Sequence, residues 1–102
     1  MNVNKMMKDL QRMQEELQER LGELRIEGTA GGGLVRATVD GHRNLHAITL
    51  QKEAVDPDDL GMLQDLLMAA VNDAVRQADA RGKELMNEMM GPLAGMKLPG
   101  IL

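Results

Sequence analysis

The sequence predicts an α+β chain: an N-terminal helix, a three-stranded antiparallel sheet and a long C-terminal helix, in that order. Three observations carry this. Apolar residues recur at alternating spacings of three and four near the N-terminus, then alternate strictly with polar ones around Val35–Val39. After Asp56-Pro57 the helical spacing returns and persists. At 102 residues the chain suggests one domain.

The first helix is expected over residues 4–24. Val3, Leu10, Leu17 and Leu24 lie seven apart, with Met6 and Met13 interleaved. This is a heptad-like seam with Arg20 as its one charged member. Met7 and Leu21 widen the stripe, and the opposite face is charged or amide. Asn4 is the expected cap. Gly22 weakens the last turn by up to ~1 kcal/mol relative to Ala.

The strands fall within residues 25–50. Val35, Ala37 and Val39 alternate with Arg36, Thr38 and Asp40, the pattern of a half-buried strand. Leu45–Leu50 reads as its hairpin partner across a loop opening at Asp40-Gly41, and Arg25–Thr29 as a shorter strand. The Gly31-Gly32-Gly33 run marks the turn between the first two strands.

The second helix is expected over 57–90. Asp56 suits an N-cap, Pro57 the first helical position, and Asp58 and Asp59 the positive end of the dipole. Its apolar stripe runs Leu60, Leu63, Leu67, Val71, Ala74 and Ala78, with a later patch at Leu85, Met86 and Met89. Gly82 is expected to kink or loosen it, and Gly91-Pro92 to end it. Residues 1–90 thus form the domain, and 91–102, with three Gly and two Pro, a flexible tail.

These lengths bear on assembly. Helices of ~20 and ~33 residues span ~30 and ~50 Å, whereas a six-residue strand spans ~20 Å. Both helices overhang the sheet, and the sheet keeps unpaired edges. An obligate, two-fold homodimer is the simplest remedy.

Composition excludes much chemistry. There is no Cys, which removes disulfides, thiolate catalysis and zinc–cysteine sites. There is no Phe, Tyr or Trp, which removes base stacking of the single-strand kind. There is no Ser, and no Thr has a histidine base positioned by the sequence. His42 and His46 lack a carboxylate cluster to complete a metal site and read as solvated loop and strand residues. Asp56–Gly61 resembles a calcium loop but fails at Leu60 and Leu67, so capping explains its acids. The glycines lack Walker or dinucleotide spacing. The ten methionines read as core filling in a chain without aromatics, ahead of thioether copper binding. No enzyme, cofactor or metal is expected. No apolar run approaches a membrane span, and the N-terminus lacks a secretion signal, so a soluble cytoplasmic protein is the expectation.

The net charge of −4 hides segregation. Lys5, Lys8 and Arg12 share one face of the first helix, away from the apolar seam. Beyond them that face turns acidic, with Glu15, Glu16, Glu19 and Glu23. Residues 56–90 hold three basic and eight acidic side chains. The N-terminal tip is therefore basic. It is either a solvated face with i,i+4 ion pairs or a surface that touches phosphate.

Certain stretches are more specific. Met6–Leu17 forms a Met- and Gln-rich helix, Glu27-Gly28 follows, and Gly33-Leu34-Val35 leads into a strand ending at Asp40-Gly41. Leu63–Ala74 contains Ala69-Ala70-Val71-Asn72-Asp73-Ala74, and Met96–Gly100 lies in a Gly/Pro-broken tail. In this order, over nearly the whole chain, they resemble the YbaB/EbfC family of small bacterial nucleoid-associated proteins. The resemblance implies a tweezer-like homodimer with projecting helical arms. It also implies binding to double-stranded DNA, a role in nucleoid organisation or gene regulation, and a link to recombination and repair proteins. The candidate DNA contacts are Lys5, Lys8 and Arg12, then Arg20 and Arg25. Arg81 and Lys83 join them if the end of the second helix lies beside the tip of the first. Asn72 and Asp73 read as structural. Phosphate contacts would report ~4 to 6 charges per dimer, and Gln11 or Gln14 would serve any base reading. The alternative is an adaptor that binds proteins through the acidic second helix and the Met-rich helix ends.

Overall fold

The computed structural model describes residues 2–94. Helix α1 is Val3–Glu23, strands β1, β2 and β3 are Ile26–Ala30, Val35–Val39 and Leu45–Leu50, a 3₁₀ turn is Lys52–Ala54, and helix α2 is Leu60–Ala94. The sheet is antiparallel in the order β1-β2-β3.

β1 and the end of α1 each differ from the expectation by one residue, and three helix boundaries differ for identifiable reasons. The cap of α1 is Asn2, whose side chain accepts from the Lys5 amide at 3.3 Å, so the helix starts before Asn4. The Asp56 carboxylate accepts from the Asp58 amide, and the Asp59 amide bonds the Asp56 carbonyl. Pro57 therefore sits in a turn, where its fixed φ suits the second position. Asp59 becomes the cap and accepts from the Met62 amide at 3.1 Å. At the other end α2 runs through Gly91-Pro92 to Ala94. A proline crowds the Cβ of the residue before it, and Gly91 has none. The rest of the expected tail, 95–102, lies outside the described residues.

Gly31, Gly32 and Gly33 all take positive φ (63°, 69° and 95°), which turns β1 into β2. The β2–β3 register shifts at Thr38/Val39, leaving His46 as the extra residue on β3.

α2 packs across β1 and β2. The buried core is Val35, Ala37 and Val39 from β2, Ala54, and Ala70, Ala74 and Ala78 from α2. The core stripe of α2 thus includes Ala70, and Leu60 is exposed instead. Gly28 explains the alanines. A Cβ at Gly28 would overlap the Ala74 amide nitrogen and the Ala70 carbonyl oxygen. Helix and strand touch backbone to backbone, and only small residues fit between them. Asp73, on the same turn, accepts from the Thr29 amide of β1 at 3.0 Å and from the Gln77 side chain. Its expected structural role is thereby specified, whereas Asn72 is exposed.

Beyond Ala78, α2 leaves the sheet and meets α1 antiparallel. Leu21 packs at Gly82, and Leu10, Met13 and Leu17 line a groove with Met89 and Met90. The two overhangs therefore partly cover each other. α2 continues as helix through Gly82, which admits the Leu21 side chain. The molecule measures 69 × 24 × 16 Å, with a radius of gyration of 19.2 Å. A compact domain of this length would have about 13 Å.

One loop joins the layers. Asp40 is only 4% exposed. Its carboxylate accepts from the amides of His42 and Asn44, the Asn44 side chain and His46 Nε2, at 2.8–3.2 Å. The His46 contact, followed by the Asn44 and His42 bonds, holds this carboxyl far below the usual carboxylate range against the opposing effect of burial. Both histidines are exposed, as expected of loop and strand residues, yet each is engaged. His46 holds Asp40, and the His42 ring lies 2.9 Å from the Gln18 carbonyl of α1.

Two predictions follow from this packing. Gly28→Ala will destabilise the fold by about 3 kcal/mol or more, because two backbones must separate; urea unfolding monitored by circular dichroism measures it. A carboxylate with a depressed folded pKa contributes its stability in full above the unfolded value of about 3.9 and loses it as pH falls towards the folded one. Stability will therefore fall steeply with decreasing pH below about 4. Asp40→Asn will be less stable at neutral pH, with a shallower acid limb in the same titration.

Candidate nucleic-acid interface

The seven candidate cations do not form one patch. Lys5 and Lys8 lie on the first turns of α1, exposed, with no ion pair among the described residues. Arg12 is exposed and bonds Asp9 at 2.7 Å. Arg20 bonds Glu16 at 2.7 Å. Arg25 folds back onto the Gly22 and Leu24 carbonyls at 2.8 and 2.9 Å, completing the end of α1. Arg81 bonds Glu84 at 3.2 Å and lies 3.6 Å from Glu88. Lys83 is exposed.

The antiparallel packing sorts them into two groups. The end of α2 does lie beside the first helix, at Leu10 and Met13, but Arg81 and Lys83 do not lie there. They flank Gly82, which meets Leu21 at the far end of α1. Arg25 and Arg81 share a cleft there with Glu27, Gln77 and Glu84. The helical rise from Lys5 to Leu21 separates the groups by ~24 Å. Met89 and Met90 are thus the part of α2 that reaches the tip of α1, and Arg81 and Lys83 belong to the base of the arm.

The two groups differ electrostatically. At the base each arginine already satisfies a carboxylate or carbonyl, and an exposed pair of that kind contributes about 0–1 kcal/mol. At the tip the lysines are unengaged, no acid occupies the first turn of α1, and the helix dipole adds positive potential. Long cationic side chains on an exposed helix end can reach phosphate without first breaking an internal pair. Gln11 and Gln14 are exposed on the same helix.

The methionines also depart from the expectation. Met6, Met7, Met68, Met86 and Met90 are exposed, Met7 by 62%, so they do not fill the core of one chain. The alanine–glycine contact leaves no room for them there. Met86 and Met90 lie where α2 meets α1. No sequence signal marked the Asp40 loop as the element joining α1, α2 and β3, because its contacts link residues far apart in the chain.

Among the described residues no three His, Asp or Glu side chains gather as a metal site requires, and no helix is long and apolar enough to cross a membrane.

The fold and the sequence both have relatives. An uncharacterised protein of Helicobacter pylori has a similar crystal structure, with a TM-score of 0.70 at 24% identity over 89% of this chain and 99% of its own. It shares the fold. A nucleoid-associated protein of Exiguobacterium is 50% identical over 97% of this chain and 94% of its own length. Another, of Desulforamulus reducens, is 48% identical over 98% and 95%. A third, of Bacillus thuringiensis, is 48% identical over 97% and 91%. Residues 1–93 match the YbaB/EbfC DNA-binding family, to which the chain therefore belongs.

Proposed function

We propose that this protein binds double-stranded DNA in the nucleoid as a two-fold homodimer, through phosphate contacts made by the tips of its arms. Family membership supports DNA as the ligand, and the relatives named nucleoid-associated support the location. The observation that carries the residue assignment is the pair of unengaged lysines, Lys5 and Lys8, at the end of an elongated arm. Arg12 joins them by exchanging Asp9 for a phosphate. Arg20, Arg25, Arg81 and Lys83 lie nearer the body and are secondary. Few contacts per chain give a shallow salt dependence and low sequence specificity.

The sheet supports self-association. Every residue of β3 is exposed, with Ile48 and Leu50 both 43% exposed. Their partners across the ladder are the buried Ala37 and Val35. The apolar face of the sheet thus continues past the cover of α2 onto an open edge, where a second copy can pair. Two such bodies back to back would project two arms.

Two measurements test this. Replacing Lys5, Lys8 and Arg12 together by Ala will lower affinity for a labelled duplex at least ~10-fold at low salt and flatten the salt slope, read by fluorescence anisotropy. Arg12→Ala alone will cost least, because that side chain starts paired. Unchanged binding by the triple variant would move the site elsewhere. If the parent does not bind duplex at all, the exposed methionines and acidic α2 would favour the protein-adaptor reading. In sedimentation at micromolar concentration the parent will run as a dimer and Ile48→Asp as a folded monomer. A monomeric parent would overturn the assembly.

A further inference from the structure

The β2–β3 loop grips the end of α1 at two points. The Gly41 amide donates to the Leu21 carbonyl at 2.8 Å, and His42 Nε2 lies 2.9 Å from the Gln18 carbonyl. The approach is close: a Cβ at Gly41 would sit 2.6 Å from the Leu21 oxygen. The same loop holds α2 through Arg43, whose Nε donates to Asp79 at 2.7 Å. It holds β3 through Asp40, which His46 contacts at 2.8 Å. Arg43 takes a positive φ of 68°, a conformation disfavoured for a residue with a side chain. The register shift on β3 brings His46 to Asp40. One short loop thus ties α1, α2 and β3 together at the root of the arm. Elsewhere α1 has no fully buried residue and touches mainly α2. Two helices in contact along a thin apolar strip can still roll or splay about it.

We propose that this loop is the clamp that sets the direction of the arm, with His42 and Asp40 as positioning residues for DNA binding. His42 fixes the last turns of α1 to the body, and Asp40 holds the loop in the shape that allows it. A small rotation at the root moves the Lys5–Lys8 tip, ~24 Å away, by several ångströms. Phosphates are spaced on that scale, so an unclamped arm meets them with only part of its population. Apparent affinity then falls by the competent fraction, with no contact removed. The part concerning DNA rests on the function proposed above, whereas the clamp itself does not.

The chain has no cysteine, so labels can be placed at will. Cysteines at two exposed sites, Gln11→Cys on the arm and Lys52→Cys on the body, would carry spin labels. Pulsed electron paramagnetic resonance, on protein diluted with unlabelled chain, reads the distance between them. The parent will give one narrow distribution. His42→Ala, at an exposed position, will leave circular dichroism unchanged and broaden the distribution. His42→Gln restores a side-chain N–H donor and will narrow it again. His42→Ala will also bind a labelled duplex about threefold to tenfold more weakly, with the parent's salt slope. A direct phosphate contact would change that slope. Asp40→Asn will broaden the distance in the same way and serves as the second variant.

An unchanged distribution in His42→Ala would overturn the clamp. A broadened one with unchanged DNA affinity would overturn the positioning role. If the parent fails to bind duplex, the DNA-binding function falls, and the distance measurement still decides the clamp.

Discussion

The contact on which the rest of the structure depends is the backbone meeting of Gly28 with Ala70 and Ala74. A helix lying this close to a strand leaves room at the contact for small side chains only, and Ile26, Leu63, Leu66 and Leu67 pack partly buried at its margins. The largest fully buried side chains are accordingly Val35 and Val39. Such a core buries little apolar area, and area is what the hydrophobic effect rewards. The apolar surface that cannot enter remains outside, on β3, on the seam of α1 and at the methionines of the arm. The geometry that pins α2 to the sheet thus also creates the surfaces on which a second copy can associate. Asp73 reinforces the contact from the same helical turn by taking the Thr29 amide at the edge of β1.

Once α2 is fixed on β1 and β2, its length carries it beyond the sheet. α1 must then choose between solvent and the free half of α2, and it takes the latter along Leu10, Met13, Leu17 and Leu21. The result is a two-helix arm whose root is secured by hydrogen bonds of the Asp40 loop as well as by apolar contact at Leu21 and the buried Leu85. Directional bonds suit that task better than a greasy contact, because they specify an angle as well as a distance.

An acidic chain in a DNA-binding family is an electrostatic puzzle only when charges are summed. Most acids with a resolved partner along the arm face an arginine of the same arm, as Glu16 faces Arg20 and Glu84 faces Arg81. Lys5 and Lys8 at the tip are unengaged and lie at the positive end of the α1 dipole, whereas the unengaged Lys83 at the root sits beside the acidic stretch of α2. With a Debye length of about 10 Å at 0.1 M salt, charges at the root ~24 Å away are largely screened from a phosphate at the tip. Local potential, not net charge, governs such a contact.

Periodicity alone was enough for the order of elements, the glycine turn, the pairing of the strands and the basic face of Lys5, Lys8 and Arg12, because each depends on residues near one another in sequence. The position of Arg81 and Lys83, the partners of His42 and His46, and the exposure of the methionines were beyond its reach. Apart from the Asp40–His46 contact, which follows from the register shift on β3, these depend on which turn of α1 meets which turn of α2. Glycine in a strand reads locally as weakness. Only the packed chain reveals it as the space into which a helix backbone fits, because the backbone approach of Ala70 and Ala74 is visible only once α2 lies on the sheet.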